Sequence, residues 1–333
     1  MYEDCPQLVR EFLSYMETIK GRSKNTVNAY YVDLRTFFRF ILQYKKLTDP
    51  AVEFSQIDVS AVDLDVIKTI TLSDIYEFLL FTSGERSNQS KTRARKVSCL
   101  RVFFKYLTNN LGVLSENPIE NLESPSIKKS LPKYLSLENC YELLSHIQGP
   151  NQERDYCIIT FFLNCGMRLS ELVGINLNDI KENKLLLRGK GNKERVVYLN
   201  DACLSALEQY LPIRNQQLDQ LKPEAKHALF ITRNGTRIGR RRVELLVKEY
   251  LDKSGLSGMG YSVHKLRHTA ATIMYQHGNV DIRTLQEILG HANLGTTQIY
   301  THVSNEQMQK AAQSTPLSKV KRKKTTVSSS GSD

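Results

Sequence analysis

The stretch Leu185-Leu186-Leu187-Arg188-Gly189-Lys190-Gly191-Asn192-Lys193-Glu194-Arg195-Val196-Val197-Tyr198-Leu199 decides the fold class. Two short aliphatic and β-branched runs flank a turn that holds two glycines, the pattern of a β-hairpin. Elsewhere the apolar residues recur at spacings of three and four, which is the helical period. The chain therefore reads as mainly α with a small β-hairpin or sheet, the β element lying in a mixed α/β second half.

Upstream of the hairpin, Ser136 is placed to N-cap a helix containing Cys140, Leu143 and Leu144, and a second apolar helix runs from Arg154 to about Leu163. Asn164-Cys165-Gly166-Met167-Arg168-Leu169-Ser170-Glu171-Leu172 then breaks a helix at Gly166 and restarts it. Arg168 falls in the first turn, with Glu171 one turn on, where its carboxylate can hold the guanidinium. Downstream, Ser262 can cap a helix with the stripe Val263, Leu266, Ala270, Ile273 and Met274. His264 and Arg267 then lie one turn apart on a neighbouring face and are expected to point the same way. The next helix carries Ile282, Leu285, Ile288 and Leu289 and ends at Gly290, a fitting C′ residue, with His291 just beyond. Tyr300 follows in Thr296-Thr297-Gln298-Ile299-Tyr300-Thr301-His302. Ser304 and Gln307 suggest a capping box for a last helix to about Gln313.

Towards the N-terminus, Tyr30, Leu34, Phe37, Phe38, Ile41 and Leu42 form a helical stripe that starts near Ser23. Further helices are expected at Asp74 to Phe81 behind Ser73, and at about Ser90 to Leu107. Cations crowd two of these helix starts, Lys20, Arg22 and Lys24 at one and Lys91, Arg93, Arg95 and Lys96 at the other. Positive charge there opposes the helix dipole, which costs stability unless a ligand uses it. Tyr44 to Lys68 is acidic with little periodicity and reads as a loop or insertion. The stretch from Asn110 to Lys133, with its glycine, prolines and serines, reads as a linker. The expected organisation is a helical domain over 1–112, a linker over 113–134, a second domain over 135–314 and a disordered basic tail over 315–333.

The 333 residues suffice for two such cores, and 41% hydrophobic with 24% charged residues is the balance of a globular protein. The formal net charge of +11 favours a polyanionic partner. No apolar run reaches the roughly 20 residues of a membrane span, and no leader precedes the first helix, so a cytoplasmic location without membrane contact is expected. Six scattered cysteines show neither C-x-x-C nor metal-ligand spacing, which points to reduced thiols, not zinc or disulfides.

Each candidate residue has an ordinary reading when taken singly. R-x-x-E on a helix is usually a surface ion pair, a lone histidine is usually structural, and Tyr300 is one of sixteen tyrosines. Together they change meaning, because a phosphodiester is cleaved by fixed positive charge at its non-bridging oxygens, and arginines beside histidines supply that charge.

The ordered set Gly166 to Leu172, Gly189 to Arg195, His264-Lys265-Leu266-Arg267-His268-Thr269, Leu289-Gly290-His291 and Tyr300-Thr301-His302 resembles the tyrosine recombinases, most nearly those of the Xer type. The resemblance covers the chain after the linker, and the N-terminal helices resemble that family's core-binding (SAM-like) domain. It implies that Arg168 and Arg267 bind the scissile phosphate, that His264 and His291 add hydrogen bonds or move protons, and that Lys190 protonates the departing 5′ oxygen. Residue types alone do not choose between Lys190 and Lys193; the family pattern selects Lys190. Tyr300 is implied as the nucleophile, giving a 3′-phosphotyrosine. With a phenol pKa of about 10, only about one tyrosine in a thousand is ionised at neutral pH without help, so activation by the surrounding charge is needed.

No Asp/Glu cluster has metal spacing among these motifs and no glycine pattern is a P-loop, so no metal, ATP or other cofactor is expected. The implied partner is double-stranded DNA, bound by a homo- or hetero-tetramer on two sites, with exchange of the C-terminal helix between subunits and an accessory protein as a further partner. The implied role is resolution of chromosome dimers. Integration or excision of a mobile element, type IB topoisomerase chemistry and non-cleaving architectural DNA binding are the alternatives.

Overall fold

The computed structural model describes residues 2, 4–84, 90–123, 133–189, 191, 193–278, 280–291, 296 and 297. The chain divides into two compact units, Met1–Lys129 and Ser130–Asp333.

The first unit is helical. Helix α2 (Lys24–Tyr44) starts as expected at Ser23, whose Oγ accepts the Thr26 N–H. Its stripe Leu34, Phe37, Phe38 and Ile41 is fully buried. Packed with it are α4 (Leu72–Ser83) and α5 (Ser90–Lys105), the latter prolonged by one wider turn over Tyr106–Asn110. The cap of α4 is Thr71, not Ser73: Thr71 and Asp74 exchange side-chain and backbone hydrogen bonds in a capping box. A helix not anticipated from the sequence, α1 (Gln7–Thr18), contributes Val9, Phe12, Leu13 and Met16 to the same core. Nor is the acidic stretch a bare loop. It contains a short 3₁₀ turn at Phe54–Gln56 and α3 (Leu64–Lys68), and it buries Ile57, Val59, Val62 and Ile67. Leu114, Ile119 and Leu122, from the stretch expected to link the domains, are likewise buried in this core.

The cations at the start of α5 meet a different fate from the one expected. Asp33 is buried on α2, and both Arg95 and Lys96 donate to it, Lys96 being buried as well. A buried carboxylate is stable only when paired, so Lys96 is committed inside the unit, while Arg95 reaches the same carboxylate from the surface. Lys20, Arg22 and Lys24 stay exposed.

In the second unit, α7 (Gln152–Cys165) is the central helix, buried without interruption from Cys157 to Leu163 and packed against α9 (Asp201–Asn215) and α11 (Val263–His277). Around it lie α6 (Leu137–Ser145), capped by Ser136 as expected, α8 (Leu169–Gly174), α10 (Arg240–Lys253) and α12 (Ile282–Leu289). Strands β2 (Lys184–Arg188) and β3 (Glu194–Tyr198) form the expected antiparallel hairpin, with Leu187 opposite Arg195 and Gly191 at φ +73° in the turn. A two-residue strand β1 (Ile180–Lys181) extends the sheet in the order β1-β2-β3. All six cysteines are buried free thiols. No described helix is long and apolar enough to cross a membrane. The basic tail and the expected last helix, 304–313, lie outside the described residues.

Candidate active site

Helix α7 stops at Gly166, which takes the left-handed conformation at φ +57°. A Cβ there would stand 2.9 Å from Leu289 Cδ2, so glycine both permits the turn and lets α12 pack against it. The chain re-enters a helix with Arg168 as the N-cap residue of α8 and Glu171 three residues on. One Glu171 oxygen accepts the Arg168 N–H at 2.7 Å, and the other accepts Arg168 Nη1 at 2.8 Å, so the expected contact forms. The Glu171 side chain has no exposed surface. Arg195, from β3, donates to both of its oxygens at 2.7 and 2.8 Å, and Arg267 Nη1 lies 3.9 Å away. Burial alone would push the Glu171 carboxyl up, but the hydrogen bonds from Arg195 and from the Arg168 backbone outweigh it and the pKa is lowered. Glu171 therefore stays ionised, and one carboxylate faces three guanidiniums. The excess positive charge attracts an anion.

The same three arginines hold the end of α12. Arg195 Nε donates to the Ile288 carbonyl at 2.8 Å, Arg267 Nη2 to Leu289 at 2.6 Å, and Arg168 Nη2 to Gly290 at 3.1 Å. Carbonyls at a helix C-terminus lack helical partners and carry the negative end of the dipole, so cations suit them. Gly290 turns the chain at φ +61°, and the His291 N–H returns to the Gln286 carbonyl at 3.1 Å. His291 Nδ1 lies 3.0 Å from Thr297 Oγ1. Arg267 Nη1 also donates to the Gly166 carbonyl at 2.6 Å, which ties α11 to the break after α7.

On α11, Ser262 occupies the N-cap position but its hydroxyl makes no cap hydrogen bond. His264 and Arg267 line the same cavity, as their spacing one turn apart suggests, but sit at different depths: His264 is exposed and Arg267 only 3% exposed. Partial desolvation of its ring, with Arg267, Lys265 and Arg168 nearby, lowers the pKa of His264, and burial beside Arg267, Arg168 and Arg195 lowers that of His291 to about 4. His268, whose ring meets that of His264 edge-on at 4.6 Å, is also lowered to about 4, by burial and then by His264. At neutral pH these imidazoles are uncharged, each able to donate one hydrogen bond and accept a proton.

Arg168, His264 and Arg267 line one open cavity of about 790 Å³ with Arg240, Arg241 and Lys248. The exposed Arg240 and Arg241 begin α10, beside a surface already rich in positive charge. Lys190 and Tyr300 lie outside the described residues. Among the described residues, no group of three or more His, Cys, Asp or Glu side chains is placed to hold a metal ion. Sequence reasoning missed Arg195 as a site residue. Its signal was the strand period: Arg195 and Val197 share a face of β3, and Val197 is buried.

Residues 133–307 match the model of the phage integrase family. The chain belongs to that family. A tyrosine recombinase XerC from Caldanaerobacter subterraneus subsp. tengcongensis is 50% identical over 313 residues, covering 94% of this chain and 88% of the relative. A second XerC, from Herpetosiphon aurantiacus, is 36% identical over 305 residues, covering 90% and 92%. Among solved structures, a XerH recombinase in a post-cleavage complex with palindromic difH DNA is 22% identical with a TM-score of 0.67, covering 92% of this chain and 94% of that one. A lambda integrase dimer on a COC′ core site gives 15% identity and a TM-score of 0.62, covering 86% and 96%. These two likenesses concern the fold. The resemblance read from the five motifs and the two-part helical and mixed α/β architecture both hold.

Proposed function

We propose that this recombinase cleaves and rejoins DNA at a specific site with Tyr300 as nucleophile. The phenolic oxygen attacks the scissile phosphorus, the bond to the 5′ oxygen breaks, and that oxygen leaves with a proton from Lys190. The resulting 3′-phosphotyrosine keeps the energy of the broken bond, so a partner strand's 5′ hydroxyl can attack it and restore the backbone. Arg168 and Arg267 bind the non-bridging oxygens, while His264 and His291, neutral in the free protein, donate hydrogen bonds and accept the phenol proton. The observation that carries this reading is that Arg168 and Arg267 line one cavity with His264, while beneath it one buried carboxylate, Glu171, faces three guanidiniums, those of Arg168, Arg195 and Arg267.

The names of the relatives support a Xer-type role, and we extend it to resolution of chromosome dimers in the cytoplasm by a homo- or hetero-tetramer on two duplexes, with the segment after Tyr300 exchanged between subunits. In this reading the helical unit that ends at Lys129 is the core-binding domain, with Leu114, Ile119 and Leu122 part of its core, and the unit from Ser130 carries the catalytic domain.

The test uses a duplex nicked near the cleavage point, its sequence selected by the wild-type protein from random DNA. Wild type is expected to form a covalent adduct that survives denaturation and EDTA, and Tyr300→Phe to form none. Absence of adduct with wild type, or its persistence in Tyr300→Phe, would overturn the assignment.

A further inference from the structure

Arg195 meets the supports of both proposed phosphate-binding arginines. A carboxylate offers about four acceptor sites. On Glu171, two are taken by Arg195 and two by the N–H and Nη1 of Arg168. Arg267 stands 3.9 Å off. The second support is the end of α12, where Arg195 takes Ile288, Arg267 takes Leu289 and Arg168 takes Gly290. Gly290 also leaves room for Arg195: a Cβ there would meet its Cδ at 3.0 Å and Nη1 at 3.2 Å. The arginine comes from β3, opposite Leu187, so a strand fixes its reach, and its side chain is 12% exposed.

We propose that Arg195 is a positioning residue for strand cleavage, clamping the Glu171 carboxylate to the Ile288 carbonyl and so fixing the two supports from which Arg168 and Arg267 reach the scissile phosphate. The proposal rests on the phosphate-binding reading given above. Without Arg195, two Glu171 acceptor sites open, and the carboxylate draws on the guanidinium charge that the phosphate needs. Lysine is a poor replacement, because an ammonium is a point charge without the planar fork that grips both oxygens.

The experiment measures single-turnover adduct formation by full-length wild type, Arg195→Gln, Arg195→Lys and Arg168→Ala on three versions of the nicked duplex. One carries the natural phosphodiester. A second carries a methylphosphonate, in which a neutral methyl replaces one non-bridging oxygen. In the third, a 5′-bridging sulfur makes a leaving group that needs no proton. Arg195→Gln is expected to bind the duplex within about threefold of wild type and to cleave the phosphodiester about 100-fold more slowly, with Arg195→Lys in between. On the methylphosphonate the deficit should shrink to less than about tenfold, because the charge that the arginines stabilise has been removed. On the sulfur substrate it should persist. Rescue by sulfur alone would mean that Arg195 acts through the hairpin and its lysine, and an equal deficit on all three would mean a merely structural role; either overturns the proposal. Arg168→Ala separates the two claims. If it lacks the methylphosphonate pattern, the phosphate-binding reading fails; if it shows the pattern and Arg195→Gln does not, the positioning proposal fails.

Discussion

Glu171 is the residue on which the pocket turns. It is buried without exposure, yet ionised, because four donor contacts from Arg168 and Arg195 more than offset the cost of desolvation. The pKa values of His264, His268 and His291 are lowered too, which for a base means the neutral form, since a protonated imidazole among arginines is both desolvated and repelled. Their depressed pKa values have a consequence for stability. For His268 and His291, with values lowered from 6.5 to about 4, the unfolded chain binds more protons than the folded one across that interval. Their contribution is thus complete above the unfolded value and is lost as pH falls through the folded one. The melting temperature is expected to drop between pH 6.5 and 4, and the double variant His268→Asn/His291→Asn to show a flatter profile over that window. An unchanged slope would contradict the assignment. Glu171 has its own window lower down: its stability is lost only as pH falls below the ordinary carboxyl value of 4.5.

At the scale of elements, the pocket is built where helices end. The break after α7, the N-cap of α8 and the C-terminus of α12 leave backbone groups without helical partners, and charged side chains satisfy them. Gly166 is where these ends meet. Alanine there would have to adopt φ +57° and push a methyl group against Leu289. Gly166→Ala is expected to destabilise the protein by about 2–4 kcal/mol in urea unfolding and to weaken cleavage by shifting α12. Unaltered stability would mean that the close approach is not required. The Gly166 break, the Gly290 stop and the hairpin were all legible in the sequence, because glycine and period mark local geometry. The cap of α4 was misplaced by two residues, since Ser73 and Thr71 are equally good cap types and only the bond to Asp74 distinguishes them. Helix α1 went unread, although its buried residues Val9, Phe12, Leu13 and Met16 keep helical spacing.

At the scale of the molecule, each unit owns a core, and the first extends beyond the point where turn-forming residues suggest an end. Leu114 is 8%, Ile119 1% and Leu122 2% exposed, and Arg101 donates to the Leu122 carbonyl. A fragment of residues 1–123 is expected to be more stable than one of 1–112 by the burial of these side chains, about 1.5–3 kcal/mol each at most. Equal denaturation midpoints would show that the stretch adds nothing. The net charge of +11 also has a molecular consequence, a DNA affinity that falls steeply with salt. Not every cation takes part, because the buried Lys96 is spent on Asp33 inside the first unit.

By itself, the sequence determined the helical character, the hairpin, the family and the pairing of Arg168 with Glu171. The family rests on the order of five motifs along the chain; the others rest on residue type at short spacing, which a backbone period converts directly into geometry. Tertiary structure alone decided that Arg195 grips Glu171, that Arg267 lies deep while His264 is exposed, and that Lys96 is buried. Those outcomes depend on which remote carboxylate or helix end a long side chain reaches once the cores have packed. Glu171 and Arg195 are separated by 24 residues of chain and meet only in the fold.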